Sequence, residues 1–334
     1  MTEHLIAVGD TIAVLDPAID PAIDTRIKAF LNVLNSAGGD PMETMTPGDA
    51  RKVLEGAQKS VEVDLSGVEV TEKTISEDGL SVKLFIVRPA GQTGVLPAFM
   101  FIHGGGWVLG DFPTHQRFVR DLVVHSGLVA VFVEYTRSPE AKYPQALNEA
   151  YAATKWIAAH GAELNIDGKR LAVVGNSVGG NLTAATVLMA KNKKGPEIKF
   201  QVLFWPVTDA NFDTVSYHQY ATSRFLTRNM MIWFWDNYMP DGPQRKEIYA
   251  SPLQAGVEEL KGLPPTLVQT AENDVLRDEG EAYARKMDEA GVPVTLVRVQ
   301  GMIHDYGLLN PIADVPAVQS ALRYAASELK NALK

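Results

Sequence analysis

A serine set between glycines is the first feature of this sequence with the makings of chemistry. Val173-Val174-Gly175-Asn176-Ser177-Val178-Gly179-Gly180-Asn181 contains the pattern G-x-S-x-G. A short apolar run, residues 171–174, precedes it, and a small-residue helical pattern over about 182–191 follows it. Strand, sharp turn and helix are the setting in which that pattern lifts a serine oxygen clear of a sheet edge. A side chain at Gly175 or Gly179 would crowd the crossing of strand and helix. A serine hydroxyl is a poor nucleophile until a base takes its proton. The rest of the chain must therefore supply a base, an acid to orient it, and a place for negative charge.

Of the seven histidines, only His304 follows Ser177 on a loop after a late strand. His218, the other late one, lies in an aromatic-rich interval. The acid has four candidates on the loop after the strand ending near residue 269: Glu272, Asp274, Asp278 and Glu279. Asp278 or Glu279 suits the first turn of the following helix. Asp274 lies beyond the strand and before the helix, free to reach His304, where it would hold the imidazole tautomer. For the negative charge, His103-Gly104-Gly105-Gly106-Trp107 follows an apolar strand at once. Three successive glycines leave backbone N–H groups unshielded and free to converge. A phosphate cradle is the competing reading of that loop. Leu109 stands where the last glycine of G-x-G-x-x-G would be, and neither G-x-x-x-x-G-K-[ST] nor H-E-x-x-H occurs. Nucleotide and zinc chemistry lose their usual supports, and no cofactor and no metal is expected.

The elements that must position these residues follow from hydrophobic period. Residues 68–73 and 80–87 alternate apolar and polar and read as early, antiparallel strands. Residues 97–102, 128–133, 171–174, 200–205, 266–269 and 294–299 are apolar runs, as strands covered on both faces should be. Helical patterns over 118–124, 146–159, 182–190, 280–290 and 315–333 lie between and after them. Alternating strands and helices imply an α/β fold with a mostly parallel sheet and helices on both faces. Two regions break the alternation. Residues 1–55 are helical but punctuated by Pro17, Pro21 and Pro41, with Ile27, Phe30, Leu31 and Leu34 on one face. Residues 207–240 carry eleven aromatic or methionine side chains and no strand pattern, which reads as a lid over a pocket in preference to a dimer surface.

Composition bounds the function. The chain has 334 residues, no cysteine and a formal charge of −9. Disulfides and thiolate catalysis are excluded, and a nucleic-acid surface is disfavoured. No apolar run approaches the roughly 20 residues of a membrane span, and no basic n-region precedes an apolar core. A cytoplasmic location is the expectation.

These motifs together resemble the hormone-sensitive-lipase family of α/β-hydrolases, in its bacterial carboxylesterase branch (family IV esterases). His103-Gly104-Gly105-Gly106-Trp107 looks like H-G-G-G-[FW], and Tyr135, Pro139, Glu140, Pro144 and Ala146 are similar to Y-R-L-A-P-E…P-A. Gly175 to Asn181 is similar to G-D-S-A-G-G-N, residues 274–279 to D-x-L-x-D-[DE], and residues 301–304 to G-x-x-H. The resemblance implies an α/β-hydrolase fold of about eight strands with a helical cap. The cap would come from residues 1–55 and 207–240, over a catalytic domain of 56–206 and 241–334. It makes Ser177 the nucleophile, Asp274 the acid and His304 the base, with Gly105, Gly106 and Val178 as oxyanion donors. Trp107, Asn176, Phe225 and Trp233 are expected in the substrate pocket. The implied reaction is hydrolysis of short- to medium-chain acyl esters, with a small-molecule ester as partner and a homodimer through residues 294–299. An amidase, and a non-catalytic small-molecule receptor on the same scaffold, are the other readings. His304 speaks against the receptor. Asn176 in place of aspartate, Val178 in place of alanine, and Thr136-Arg137-Ser138 in place of R-L-A depart from the family pattern.

Overall fold

In a computed structural model, residues 15–240 and 242–334 are described. Eight strands form one sheet: β1 (Val68–Glu77), β2 (Leu80–Pro89), β3 (Leu96–Ile102), β4 (Val129–Glu134), β5 (Ile166–Asn176), β6 (Phe200–Phe204), β7 (Thr266–Asn273) and β8 (Val294–Ile303). Their spatial order is β1-β2-β4-β3-β5-β6-β7-β8. Only β2 runs against its neighbours, pairing antiparallel with both β1 and β4. The pairs from β4 through β3 to β8 are all parallel.

The continuous apolar runs have a direct cause. In β3, Ala98, Met100 and Ile102 enter one core while Phe99 and Phe101 enter the other. In β4, Val129, Val131 and Val133 divide in the same way from Ala130 and Phe132. Successive side chains of a strand point to opposite faces, so a strand buried on both faces must be apolar at every position. Three helices cover the first face: α4 (Gln145–His160), α5 (Val178–Asn192) and α9 (Arg277–Glu289), through Leu147, Leu182, Ala185, Tyr283 and Met287. The second is covered by α3 (Phe112–Ser126) and α10 (Pro316–Ala332), through Phe118, Leu122, Leu322 and Ala325.

Among the described residues, the regular elements of the two irregular regions are helices. Near the N-terminus lie α1 (Thr25–Ser36) and α2 (Pro47–Lys59). The expected apolar stripe of α1 divides: Ile27 and Leu31 are buried in the core, whereas Phe30 is half-buried and Leu34 is exposed. Between β6 and β7 the chain makes short helices only, α6 (Val215–Gln219), α7 (Arg228–Tyr238) and α8 (Val257–Leu260).

β7 and β8 run about four residues further than their apolar runs suggest. The β7 extension, Thr270 to Asn273, is mostly polar, and Gln300-Gly301 interrupts the apolar run of β8 before Met302 and Ile303, so hydrophobicity did not reveal either end. These ends are held by Glu272, whose Oε2 accepts from Gly301 N at 2.8 Å, and by a parallel bridge from Ile23 to Gly301. Asp274 and His304 therefore stand one residue beyond the last paired residues of adjacent strands.

Candidate active site

The turn from β5 into α5 is as tight as its glycines require. Ser177 has φ 55° and ψ −121°, a conformation that non-glycine residues adopt only where the surroundings over-determine it. Here Ser177 N donates to Phe204 O at 2.9 Å, and Ser177 O accepts from Asn181 N and Val207 N, both at 3.1 Å. A Cβ on Gly179 would run into Ile102 O and the His103 backbone, and one on Gly175 would run into the Gly179 carbonyl. Bare backbone at both positions lets the helix cross β3 and β5 closely enough to hold the serine at the sheet edge.

Three side chains far apart in sequence meet there. His304 Nε2 lies 2.9 Å from Ser177 Oγ, and His304 Nδ1 lies 2.7 Å from Asp274 Oδ2. A carboxylate only accepts, so Nδ1 carries the proton and Nε2 is left to accept from the serine hydroxyl. The other oxygen of Asp274 accepts from Leu276 N at 3.0 Å, which fixes the carboxylate plane. The three alternative acids are engaged elsewhere. Glu272 holds Gly301, Asp278 accepts from Ser216 N at 2.8 Å, and Glu279 accepts from Thr208 N at 2.7 Å. His304, Asp274 and Ser177 are almost wholly buried. Burial pushes the His304 pKa down, but the Asp274 and Asp305 carboxylates outweigh it, and the imidazole is held above its usual 6.5.

The glycine loop sits beside the serine. Gly105 and Gly106 have φ of 104° and 63°, open to glycine and costly to other residues. Gly104 N donates to Asn176 Oδ1 at 3.0 Å, and Tyr135 donates its hydroxyl proton to His103 O at 3.0 Å. Both bonds tie the loop to the strands around it. Val178 opens α5, so its N–H belongs to the first turn, whose amides have no intrahelical partner.

Ser177, His304, Gly105 and Gly106 open on a cavity of about 390 Å³. Its walls are mostly apolar: Phe30 and Leu34 of α1, Met42 and Met45, Leu54 of α2, and Phe225, Leu226, Met230 and Phe234. Of the four expected pocket residues, Phe225 lines this cavity and Trp107, Asn176 and Trp233 do not. Trp107 is fully buried, stacked on Tyr238 at 4.1 Å and edge-on to Trp235 at 4.8 Å, so it anchors α7 instead of facing substrate. Asn176 is also fully buried and braces Gly104 and Asp305. Trp233 sits about 100° around the helix from Phe234, and it is Phe234 that covers Gly106.

Asp305 was not singled out from the sequence. It lines the cavity, and its Oδ1 accepts from Trp205 Nε1 at 2.7 Å and Asn176 Nδ2 at 3.1 Å. Its other oxygen lies 3.9 Å from His304 Nε2. Adjacency to His304 was the one signal available. Among the described residues there is no cluster of three or more His, Asp or Glu side chains suited to a metal, and no helix is long and apolar enough to cross a membrane.

Known proteins share this arrangement at large scale. A family model described as the α/β hydrolase fold matches residues 99–308. The crystal structure of a thermostable esterase from Pseudomonas putida ECU1011 matches with a TM-score of 0.94 and 63% identity, over 94% of this chain and 99% of that one. Carboxylesterase NlhH of Mycobacterium tuberculosis is 33% identical over 319 residues, 95% of this chain and 97% of NlhH. Ethyl acetate hydrolase of Pseudomonas putida is 32% identical over 285 residues, 82% of this chain and 87% of that enzyme. The chain belongs to the α/β-hydrolase family, in its hormone-sensitive-lipase-type carboxylesterase branch, and is an ester-hydrolysing serine enzyme.

Proposed function

We propose that this enzyme hydrolyses short- to medium-chain acyl esters through an acyl-enzyme on Ser177. The observation that carries the reading is the continuous proton path from Ser177 Oγ to His304 at 2.9 Å and on to Asp274 at 2.7 Å. His304 Nε2 takes the serine proton as Oγ attacks the ester carbonyl carbon. The carbonyl oxygen becomes an oxyanion held by the N–H groups of Gly105, Gly106 and Val178. Collapse breaks the bond to the alkoxy oxygen, which leaves as alcohol with the proton from His304. Water then attacks the acyl carbonyl and gives a proton to His304; collapse breaks the bond from the acyl carbon to Ser177 Oγ, which takes the proton back from His304 as the carboxylic acid departs. Asp274 stays ionised throughout and stabilises the imidazolium. A cavity of about 390 Å³ with mainly apolar walls supports acyl chains of modest length. So does the similarity to an enzyme named ethyl acetate hydrolase.

The base must be neutral to act, so activity is lost as acid protonates His304. Because the two carboxylates hold its pKa above 6.5, kcat/KM should fall on acidification with a midpoint above that value. A pH–rate profile on a p-nitrophenyl ester, whose leaving group needs no proton, checks this. A midpoint below 6.5, or a flat profile between about 5 and 8, would contradict a histidine base so placed.

In the same reading residues 1–55 and 207–240 form a cap over a catalytic domain of 56–206 and 241–334; residues 1–14 and 241 lie outside the described ones. The support is that α1, α2 and the 225–234 stretch together wall the cavity. The chain is further read as a homodimer through residues 294–299. β8 ends the sheet order, and Val294, Leu296, Val297 and Val299 along it are only half-buried. An edge strand with unpaired backbone groups is a template for a second copy. Light scattering after gel filtration should give twice the 36.4 kDa of the chain, and a monomer at micromolar concentration would refute the pairing.

A further inference from the structure

The outer wall of the catalytic cavity is built from two segments that meet only through tertiary contacts. Phe30 of α1 and Phe225 of the loop before α7 face each other with ring centroids 6.5 Å apart, and both line the cavity. The loop holding Phe225 is strained: Ser223 and Phe225 have φ of 63° and 72°, values costly for side chains of either kind. Something outside the loop must hold it.

Arg224, between those two residues, supplies the hold. Its guanidinium is almost wholly buried, donates to Asp20 Oδ2 at 2.7 Å and to Leu15 O at 2.9 Å, and lies 5.2 Å from the Tyr220 ring centre. Asn35 Nδ2 adds a bond to Ser223 O at 3.1 Å. Asp20 is itself anchored: its Oδ1 accepts from Ala22 N at 2.9 Å, Ala22 O accepts from Asn273 Nδ2 at 2.9 Å, and Asp24 N donates to Gly301 O at 3.1 Å. Asn273 precedes Asp274, and Gly301 lies near the end of β8, three residues before His304. The ion pair thus joins the strained loop to the same strand ends that hold the catalytic groups.

We propose that Asp20 and Arg224 are a positioning pair for substrate selection. Their contact holds Phe225 against Phe30, closing the cleft around small ester groups and limiting long or bulky ones. A buried ion pair suits the task because losing one partner leaves the other charge desolvated, so the contact is either made in full or broken. The inference rests on the reading of the Ser177 cavity as the substrate site.

The test compares p-nitrophenyl acetate with p-nitrophenyl octanoate in wild type, Asp20→Asn, Phe225→Ala and the double variant. In Asp20→Asn the ratio of octanoate to acetate kcat/KM should rise by about tenfold, with the gain in KM for the octanoate and not in kcat. Phe225→Ala should give a similar rise, and the double variant little more than either, since both remove the same wall. If Asp20→Asn does not fold, Asn35→Ala, on the surface, should move the ratio in the same direction by a smaller factor. An unchanged ratio in a folded variant, or full additivity in the double variant, overturns the proposal. Acetate turnover that survives Ser177→Ala would instead overturn the reading of the cavity. An unchanged ratio with Ser177-dependent turnover therefore fails the ion pair alone.

Discussion

Ser177→Ala is expected to lower kcat for a short-chain p-nitrophenyl ester by about a millionfold, the loss seen when a triad nucleophile is removed. The effect should fall on kcat with little change in KM, because the apolar walls that bind the ester are untouched. The fold should survive, since the hydroxyl makes its hydrogen bond to His304 and none to the backbone of the turn. Alanine also keeps the Cβ that the strained φ of 55° already accommodates. Retention of more than about a thousandth of wild-type kcat would mean that another group attacks the ester, since a residual rate from oxyanion donors and binding alone lies far lower.

Asp274→Asn is expected to cost about ten-thousandfold in kcat. The asparagine is nearly isosteric and its oxygen can still accept from Leu276 N, so the loop has no reason to move. What changes is the partner of His304 Nδ1. An amide NH2 there favours the tautomer with the proton on Nε2, which cannot accept from Ser177 Oγ at 2.9 Å. The variant also removes one of the two carboxylates that hold the imidazole pKa up against burial. The residual activity should therefore show its acid limb at lower pH than wild type. A loss of only about tenfold would mean that Asp274 does not orient His304.

Local patterns in the chain carried the parts of the site that local backbone geometry controls. Gly175 is legible as a requirement because a Cβ there meets the Gly179 carbonyl within the same strand–turn–helix unit, whereas a Cβ on Gly179 meets Ile102 O and His103 at the end of the neighbouring strand. The order serine, acid, histidine pointed to Ser177, to His304 and to a loop with four acids, since parallel strands place successive loops along one sheet edge; the place of Asp274 between strand and helix favoured it over the other three. The strand count and the antiparallel start were readable for a related reason: burial on both faces removes polar residues from the interior strands, and β2 alternates between exposed Ser81 and Lys83 and buried Val82 and Leu84. The far ends of β7 and β8 were not readable, because polar Glu272 and Asn273 and the Gln300-Gly301 break interrupt the apolar runs, while the pairing of Asn273 with Ile303 and the bond from Gly301 N to Glu272 exist only in the folded sheet.

The amino-acid order alone thus pointed to the candidate catalytic groups, the glycine loop and the α/β layering, through local motifs, chain order and periodicity. Tertiary structure decided which aromatic residues face substrate. Trp107 and Trp233 looked as suitable as Phe234, but helix phase and the stacking of Trp107 on Tyr238 turn only Phe234 toward Gly106. It also decided what holds the cleft shut, since Asp20 and Arg224 stand 204 positions apart. No period or motif links residues at that distance. Their pairing exists only because the β7 and β8 ends bring the N-terminal segment and the β6–β7 connection to one place.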